Sequence, residues 1–299
     1  MAASPYDWSG NSVASGGSQN QVEVQHVQVV SISSLKGGVG KTSVTLGLAS
    51  AALAAGIPTL VVDLDPHADA TTGLGVRPSG QTDIGRLLKN ARRGDLAANT
   101  VPSGWVATAA KAAGAAPTLD VAMGSAYSGI YDRPDLGRRD QQRLSRLLSR
   151  LEGYGLVLID CPPSLNGLTR MAWTASNRVL LVAEPSLFSV AGTERTMRAL
   201  ELFRREFAPE LQTAGIVANR VRSASHEHAF RLGEMQQMFG DLLLSPTIPE
   251  QANWQQIQGA AYSVHHWPGE PAQQASGYFD ELLRSVTDSG RLRSRAARR

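Results

Sequence analysis

Short runs of consecutive apolar residues alternate along this chain with longer stretches whose apolar residues recur every three or four positions. The runs fall at 27–33, 60–65, 119–123, 156–160, 179–183 and 215–219, with a weaker one at 247–249. Leu156, Val157, Leu158 and Ile159 are apolar without alternation, the pattern of a strand buried on both faces. Helical spacing marks 139–151, 193–207, 229–239 and 278–287. The first helix is predicted to begin at Lys41 to Ser43 and to bury Val44, Leu48, Ala51, Ala52 and Ala55. Gly56 stops it, with Pro58 beyond. Strands and helices in alternation predict an α/β fold with a mostly parallel, doubly wound sheet covered by helices on both faces. The Ala- and Gly-rich stretch 94–117 has no period and yields no prediction.

Composition narrows the picture. Of 299 residues 42% are hydrophobic, enough for a large core, whereas residues 1–25 are rich in Ser, Gly, Asn and Gln and are expected to form a flexible arm. The body is expected at 26–288 and a basic tail at 289–299. No run of about 18 apolar residues occurs and the first residues lack a secretory pattern, so neither membrane spanning nor export is expected. The single cysteine, Cys161, excludes a disulfide within the chain and points to a reducing compartment. The formal charge is +3, but six arginines crowd residues 284–299 against one acid, Asp288.

Only four residues are lysine, and two of them, Lys36 and Lys41, share one glycine-rich loop after the first strand: Lys36-Gly37-Gly38-Val39-Gly40-Lys41-Thr42-Ser43. Glycines let successive backbone N–H groups point at phosphate oxygens, and the helix start adds partial positive charge. Lys41 can reach the outer phosphates and the Thr42 hydroxyl can ligate magnesium. Asp63 and Asp65, two apart on a strand, are expected to leave one face at the carboxyl edge of the sheet, and Asp160 ends the buried strand there. Asp160 fits a carboxylate that holds magnesium through water, and Asp63 joins it as a candidate metal residue. The six histidines lack accompanying Cys or carboxylates at ligand spacing, so no histidine metal site is expected.

The Lys-Gly-Gly-Val-Gly-Lys-Thr run resembles the deviant phosphate loop of the ParA/MinD ATPases, within the P-loop NTPase fold. Asp63-Leu64-Asp65-Pro66 with Ala70-Thr71, and Asp160-Cys161-Pro162-Pro163-Ser164, are similar to that family's second and third motifs. The resemblance implies that Lys36 is a signature lysine reaching the partner's ATP across a nucleotide-sandwiched homodimer, and that Asp65 orients the attacking water. It implies that Asn219 and Pro249 flank adenine, that ATP and Mg2+ are the ligands, and that a ParB-like protein stimulates hydrolysis. His67 departs from the family's usual Gln and leaves open a nucleotide-gated scaffold with little hydrolysis. The lone thiol disfavours a bridged iron–sulfur cluster.

Family members bind a surface in one nucleotide state. The apolar residues Tyr278, Phe279, Leu282, Leu283 and Val286 precede the basic tail rather than belong to it, which disfavours stable membrane insertion. Nonspecific double-stranded DNA fits better, with Arg291, Arg293, Arg295, Arg298 and Arg299 in the tail and Arg220, Arg222 and Arg231 in the body as candidates. Arg139, Arg143, Arg146 and Arg150 are a weaker set that suits an ordinary solvated helix face. The resulting expectation is a cytoplasmic, nucleoid-associated partition ATPase for a chromosome or plasmid. The alternative within the family is one that positions a non-DNA cargo.

Overall fold

The computed structural model describes residues 27–77, 82–113 and 118–287, so the 1–25 arm and all five tail arginines lie outside the described residues. The strands are β1 (Gln28–Ser33), β2 (Thr59–Asp63), β3 (Val101–Pro102), β4 (Leu119–Ala122), β5 (Leu156–Asp160), β6 (Arg178–Ala183) and β7 (Gln212–Ala218). The helices are α1 (Lys41–Ala54), α2 (Asp69–Gly73), α3 (Ile84–Lys89), α4 (Val106–Ala113), α5 (Arg138–Gln141), α6 (Arg143–Leu148), α7 (Gly167–Ala175), α8 (Leu187–Phe207), α9 (His226–Phe239), α10 (Trp254–Gly259) and α11 (Glu270–Thr287).

All seven strands form one sheet in the order β3-β4-β2-β5-β1-β6-β7, parallel except for β3 against β4. β2, β5 and β6 are buried along their whole length, as unbroken apolar runs require. Alternate side chains feed opposite cores. Val30, Ile32, Val61 and Leu158 pack under α1 and α11, while Val29, Leu60, Val62 and Ile159 pack under Leu87, Leu144, Leu147, Leu168 and Met171. From β1 the chain builds outward through β2 on one side and through β6 and β7 on the other. The loop after β1 therefore sits where strand order reverses, the place where open α/β sheets bind ligands.

α1 ends as its sequence predicts, with Gly56 left-handed (φ 68°) and Ile57 N–H returning to the Ala52 carbonyl. Val44, Leu48, Ala51 and Ala52 are buried, but Ala55 is the helix's exposed C-cap. The helix is enclosed on almost all sides because α11 covers its back. A Cβ on Gly47 would lie 2.1 Å from the Phe279 ring.

Several predicted boundaries shift. β2 ends at Asp63, not residue 65, and 247–249 contributes only an isolated bridge from Pro249 to Val221. The 139–151 helix breaks at Gln142 (ψ 0°) into α5 and α6. α8 begins six residues early because its first turn turns Leu187 and Phe188 to solvent and so carries no core-facing period. α11 begins eight residues early, its first turns burying only Ala272 and Ala275, which blur the apolar pattern. The unpredicted 94–117 stretch supplies β3, the antiparallel edge, and α4.

Candidate functional site

The loop after β1 turns through two left-handed glycines, Gly38 (φ 77°) and Gly40 (φ 91°), and delivers the chain into α1. A Cβ on Gly40 would meet the Asn219 amide nitrogen at 2.3 Å, so both conformation and space demand glycine there. α1 has no side-chain cap and no acid in its first turn, so its free N–H groups and partial positive charge face the loop unopposed. The neighbouring cavity has a volume of 510 Å3 and is lined by Gly38, Gly40, Lys41, Thr42 and Ser43 from the loop and helix start. Leu46, Asp65, His67, Asp69, Thr72, Gly73, Pro163, Arg220, Gln258 and Gly259 complete it. Burial lowers the Lys41 ammonium below its ordinary pKa, partly countered by Asp160.

Asp160 is wholly buried beneath this floor. Its two oxygens accept hydrogen bonds from Thr42 Oγ1 and Thr45 Oγ1, each at 2.8 Å. The strand-end carboxylate thus fixes the Thr42 hydroxyl at the cavity. Among the described residues no group of three His, Cys, Asp or Glu is arranged to hold a metal on its own. One hydroxyl backed by one carboxylate is instead the donor set of a magnesium ion that arrives with phosphates.

Because β2 ends at Asp63, the two nearby carboxylates part company instead of sharing a face. Asp65 lines the cavity, where its Oδ1 accepts the His67 N–H at 3.0 Å. Asp63 does not line it. It is fully buried, and its Oδ2 accepts both the N–H (2.8 Å) and the hydroxyl (2.7 Å) of Thr71, anchoring α2 to the sheet. Its Oδ1 has no hydrogen-bond partner among the described residues, and Asp63 and Asp160 are register neighbours. Burial, then the Asp160 charge, raise the Asp63 pKa well above the carboxylate range, and burial raises Asp160 as well. Asp63, predicted for magnesium, thus lies behind the cavity wall and braces α2 through Thr71. Cys161, fully buried, has its thiol pushed up to about 12 and is inert.

Lys36 is not part of the cavity. Its Nζ lies 3.5 Å from Glu184 Oε2 and 3.2 Å from Ser186 Oγ, beside the exposed Leu187 and Phe188. Val39 is buried, and Gly37 packs near Pro163. Ser43 accepts from Gln258 Nε2 at 2.9 Å and also borders a second cavity of 310 Å3, walled by Asn219, Ile248, Pro249, Trp254 and Phe279. Asn219 and Pro249, paired by the family resemblance, line one cavity. Asn219 donates one amide proton to the Val39 carbonyl (2.8 Å), which fixes its side chain at the cavity wall.

The three body arginines predicted for DNA each have a partner in the fold. Arg220, in a left-handed backbone (φ 57°), lines both cavities and donates to the Gly38 carbonyl at 2.6 Å. Arg222 faces Glu250 at 3.6 Å and touches His228, and Arg231 is clamped by Glu227 and Glu234, each at 2.6 Å. Sequence reasoning missed Asp69, Thr72, Gln258 and Glu184. Only Asp69 and Thr72 carry a local signal, their closeness to Asp65.

A glycine loop at the switch point of a doubly wound sheet, with a lysine and a carboxylate-held threonine at its helix start, defines a P-loop nucleotide-binding protein. A family model described as "AAA domain" matches residues 27–213. The chromosome partitioning protein ParA of Caulobacter vibrioides is 33% identical over 230 residues, 75% of this chain and 80% of the relative. The sporulation initiation inhibitor protein Soj of Bacillus subtilis is 23% identical over 88% of this chain and 99% of its own. In fold, the chain resembles an ATP complex of a single-substitution variant of McdA from Cyanothece (TM-score 0.73, 18% identity, 87% of this chain and 96% of that one). It also resembles the septum site-determining protein MinD of Pyrococcus horikoshii complexed with Mg-ADP (TM-score 0.68, 22% identity, 88% and 97%). The chain belongs to the ParA/MinD family of P-loop ATPases and is most like ParA.

Proposed function

We propose that this ParA-family protein hydrolyses ATP with Mg2+, closes into a homodimer around the nucleotide, binds duplex DNA without sequence preference, and is driven off it by a ParB-like partner. The observation that carries the reading is the pairing of the α1 start and Lys41 with a cavity-lining carboxylate, Asp65, across one cavity. The triphosphate lies along the Gly38–Gly40 backbone and the adenine enters the second cavity between Asn219 and Pro249. Thr42, held by Asp160, binds the metal, which neutralises phosphate charge when bound. Asp65 accepts a hydrogen bond from the water that attacks the γ-phosphorus, and Lys41 stabilises charge gathering on the phosphoryl oxygens.

In the dimer Lys36 leaves Glu184 and Ser186 for the partner's phosphates, a more charged acceptor than a single carboxylate at 3.5 Å. Leu187 and Phe188, 52% and 76% exposed beside it, are apolar surface suited to being covered by the second copy. Likeness to a chromosome partitioning protein and, in fold, to a plasmid partition protein supports partition of a chromosome or plasmid as the task, with a cytoplasmic, nucleoid-associated location as part of the same reading. Phosphate release from Mg-ATP, measured with and without duplex DNA, tests the reading. The wild type is expected to turn over and Lys41→Ala to lose nucleotide binding. A wild-type chain that binds no ATP would refute it.

A further inference from the structure

A third cavity, of 570 Å3, shares no lining residue with the two nucleotide cavities and opens between the C-terminal end of α3 and the α5–α6 pair. It is lined by Lys89, Arg92 and Arg93 on one wall and Arg139, Arg143 and Arg146 on the other, with Asp140 the one acid among its lining residues. Asp140 is taken by Arg143 at 2.7 Å. Among the described residues no carboxylate lies within ion-pair distance of the other five cations. The walls are tied together by guanidinium-to-carbonyl bonds: Arg143 Nη1 to Leu88 (2.8 Å) and Lys89 (3.1 Å), and Arg150 to Arg92 (2.9 Å) and Gly94 (3.2 Å). Such bonds fix position without neutralising charge. Lys89, Arg92, Arg93 and Arg139 are exposed, and mutual repulsion among them is a cost that folding alone does not explain.

We propose that this cleft is a binding surface for the phosphate backbone of duplex DNA, an inference that rests on the DNA-binding part of the function above and gives it a location. A small anion is poorly served here. The cleft has no buried unpartnered donor, since the buried side-chain atoms without partners among the described residues are Ser31 Oγ and Asp63 Oδ1, both elsewhere. Single-stranded nucleic acid is poorly served as well, because among the described residues no aromatic side chain lines the cleft to stack on a base. Several exposed, redundant cations across an open concavity match evenly spaced phosphates and no base edge. The same four arginines of 139–150 look from sequence like a solvated helix face. The three cations of 89–93, brought opposite them by the fold, change that reading.

The test uses the full chain with Mg-ATP and a fluorescent duplex of scrambled sequence, titrated over a range of salt. The variant combines Lys89→Ala, Arg92→Ala, Arg93→Ala and Arg139→Ala, four side chains that make no hydrogen bond or ion pair among the described residues. Its affinity is expected to fall at least about tenfold near 0.1 M salt, and its slope of log K against log salt to flatten by about two or more. Its ATP affinity should match the wild type. An unchanged slope would overturn the cleft while leaving DNA binding intact. Absence of duplex binding by the wild type would instead remove the DNA-binding part of the function, and the cleft with it. Tighter binding of single strands or of duplex RNA by the wild type, lost in the variant, would overturn the assignment to duplex DNA.

Discussion

The nucleotide edge and the α3–α6 cleft are both cationic, yet they hold their cations in opposite ways. At the nucleotide edge each positive side chain is placed by a specific acceptor or by burial. Lys41 is buried, Arg220 bonds the Gly38 carbonyl, and Lys36 rests on Glu184 and Ser186. In the cleft most of the cations stand exposed and without carboxylate partners. Few, individually fixed cations suit chemistry, where a misplaced group costs rate. Many interchangeable ones suit adhesion to a polyanion, where each contributes a similar share. Arg222 and Arg231 stand between the two classes, each facing glutamates at the surface: Arg222 one at 3.6 Å, Arg231 two at 2.6 Å.

The contrast predicts that single changes are severe at the edge and mild in the cleft. Asp65→Ala is expected to slow phosphate release by at least about 100-fold with ATP affinity within about threefold, the size typical of losing a positioned general base. A variant that still turns over at the wild-type rate would remove Asp65 from the chemistry. Gly40→Ala comes next. Its Cβ would meet Asn219 at 2.3 Å in a left-handed backbone, so ATP affinity measured by calorimetry should fall at least about tenfold.

Arg92→Ala alone should weaken duplex binding only about two- to fivefold, one phosphate contact among several, whereas Arg231→Ala should leave it unchanged within error. If Arg231 proved the stronger of the two in a binding titration, the assignment of surfaces would be reversed.

The smallest effect is one of pH. His265 bridges Ser50 on α1 (2.7 Å) and Asp280 on α11 (3.0 Å). Burial holds its pKa below the ordinary 6.5 despite the Asp280 bond, so the folded ring is neutral near pH 7. Its contribution is complete above pH 6.5 and is lost as the pH falls through the folded value, because the unfolded chain binds the proton first. The fall in melting temperature from about pH 7.5 to about 5.5 should therefore be shallower in His265→Gln than in the wild type.

How much of this was legible beforehand depends on sequence distance. β5 is read correctly to the residue because four consecutive apolar side chains need both faces covered, and the phosphate loop is read because its chemistry is local. Asp63 illustrates the limit. Its place at a strand end is visible, but its engagement by Thr71 and its burial behind the cavity wall depend on where β2 stops. Gln258 meets Ser43 across 215 residues and Lys36 meets Glu184 across 148, contacts that no local pattern encodes. The cleft stayed hidden for the same reason, since its two walls are separate, unremarkable runs of charge until the sheet brings α3 beside α6.

The central claim is that one triphosphate is gripped by the glycine loop of one copy and Lys36 of another. Light scattering on Asp65→Ala with Mg-ATP measures it most directly. The account predicts twice the mass of one chain, reverting to a single chain when Lys36→Ala is added while ATP remains bound. A double variant that stays paired at the same ATP occupancy would contradict it.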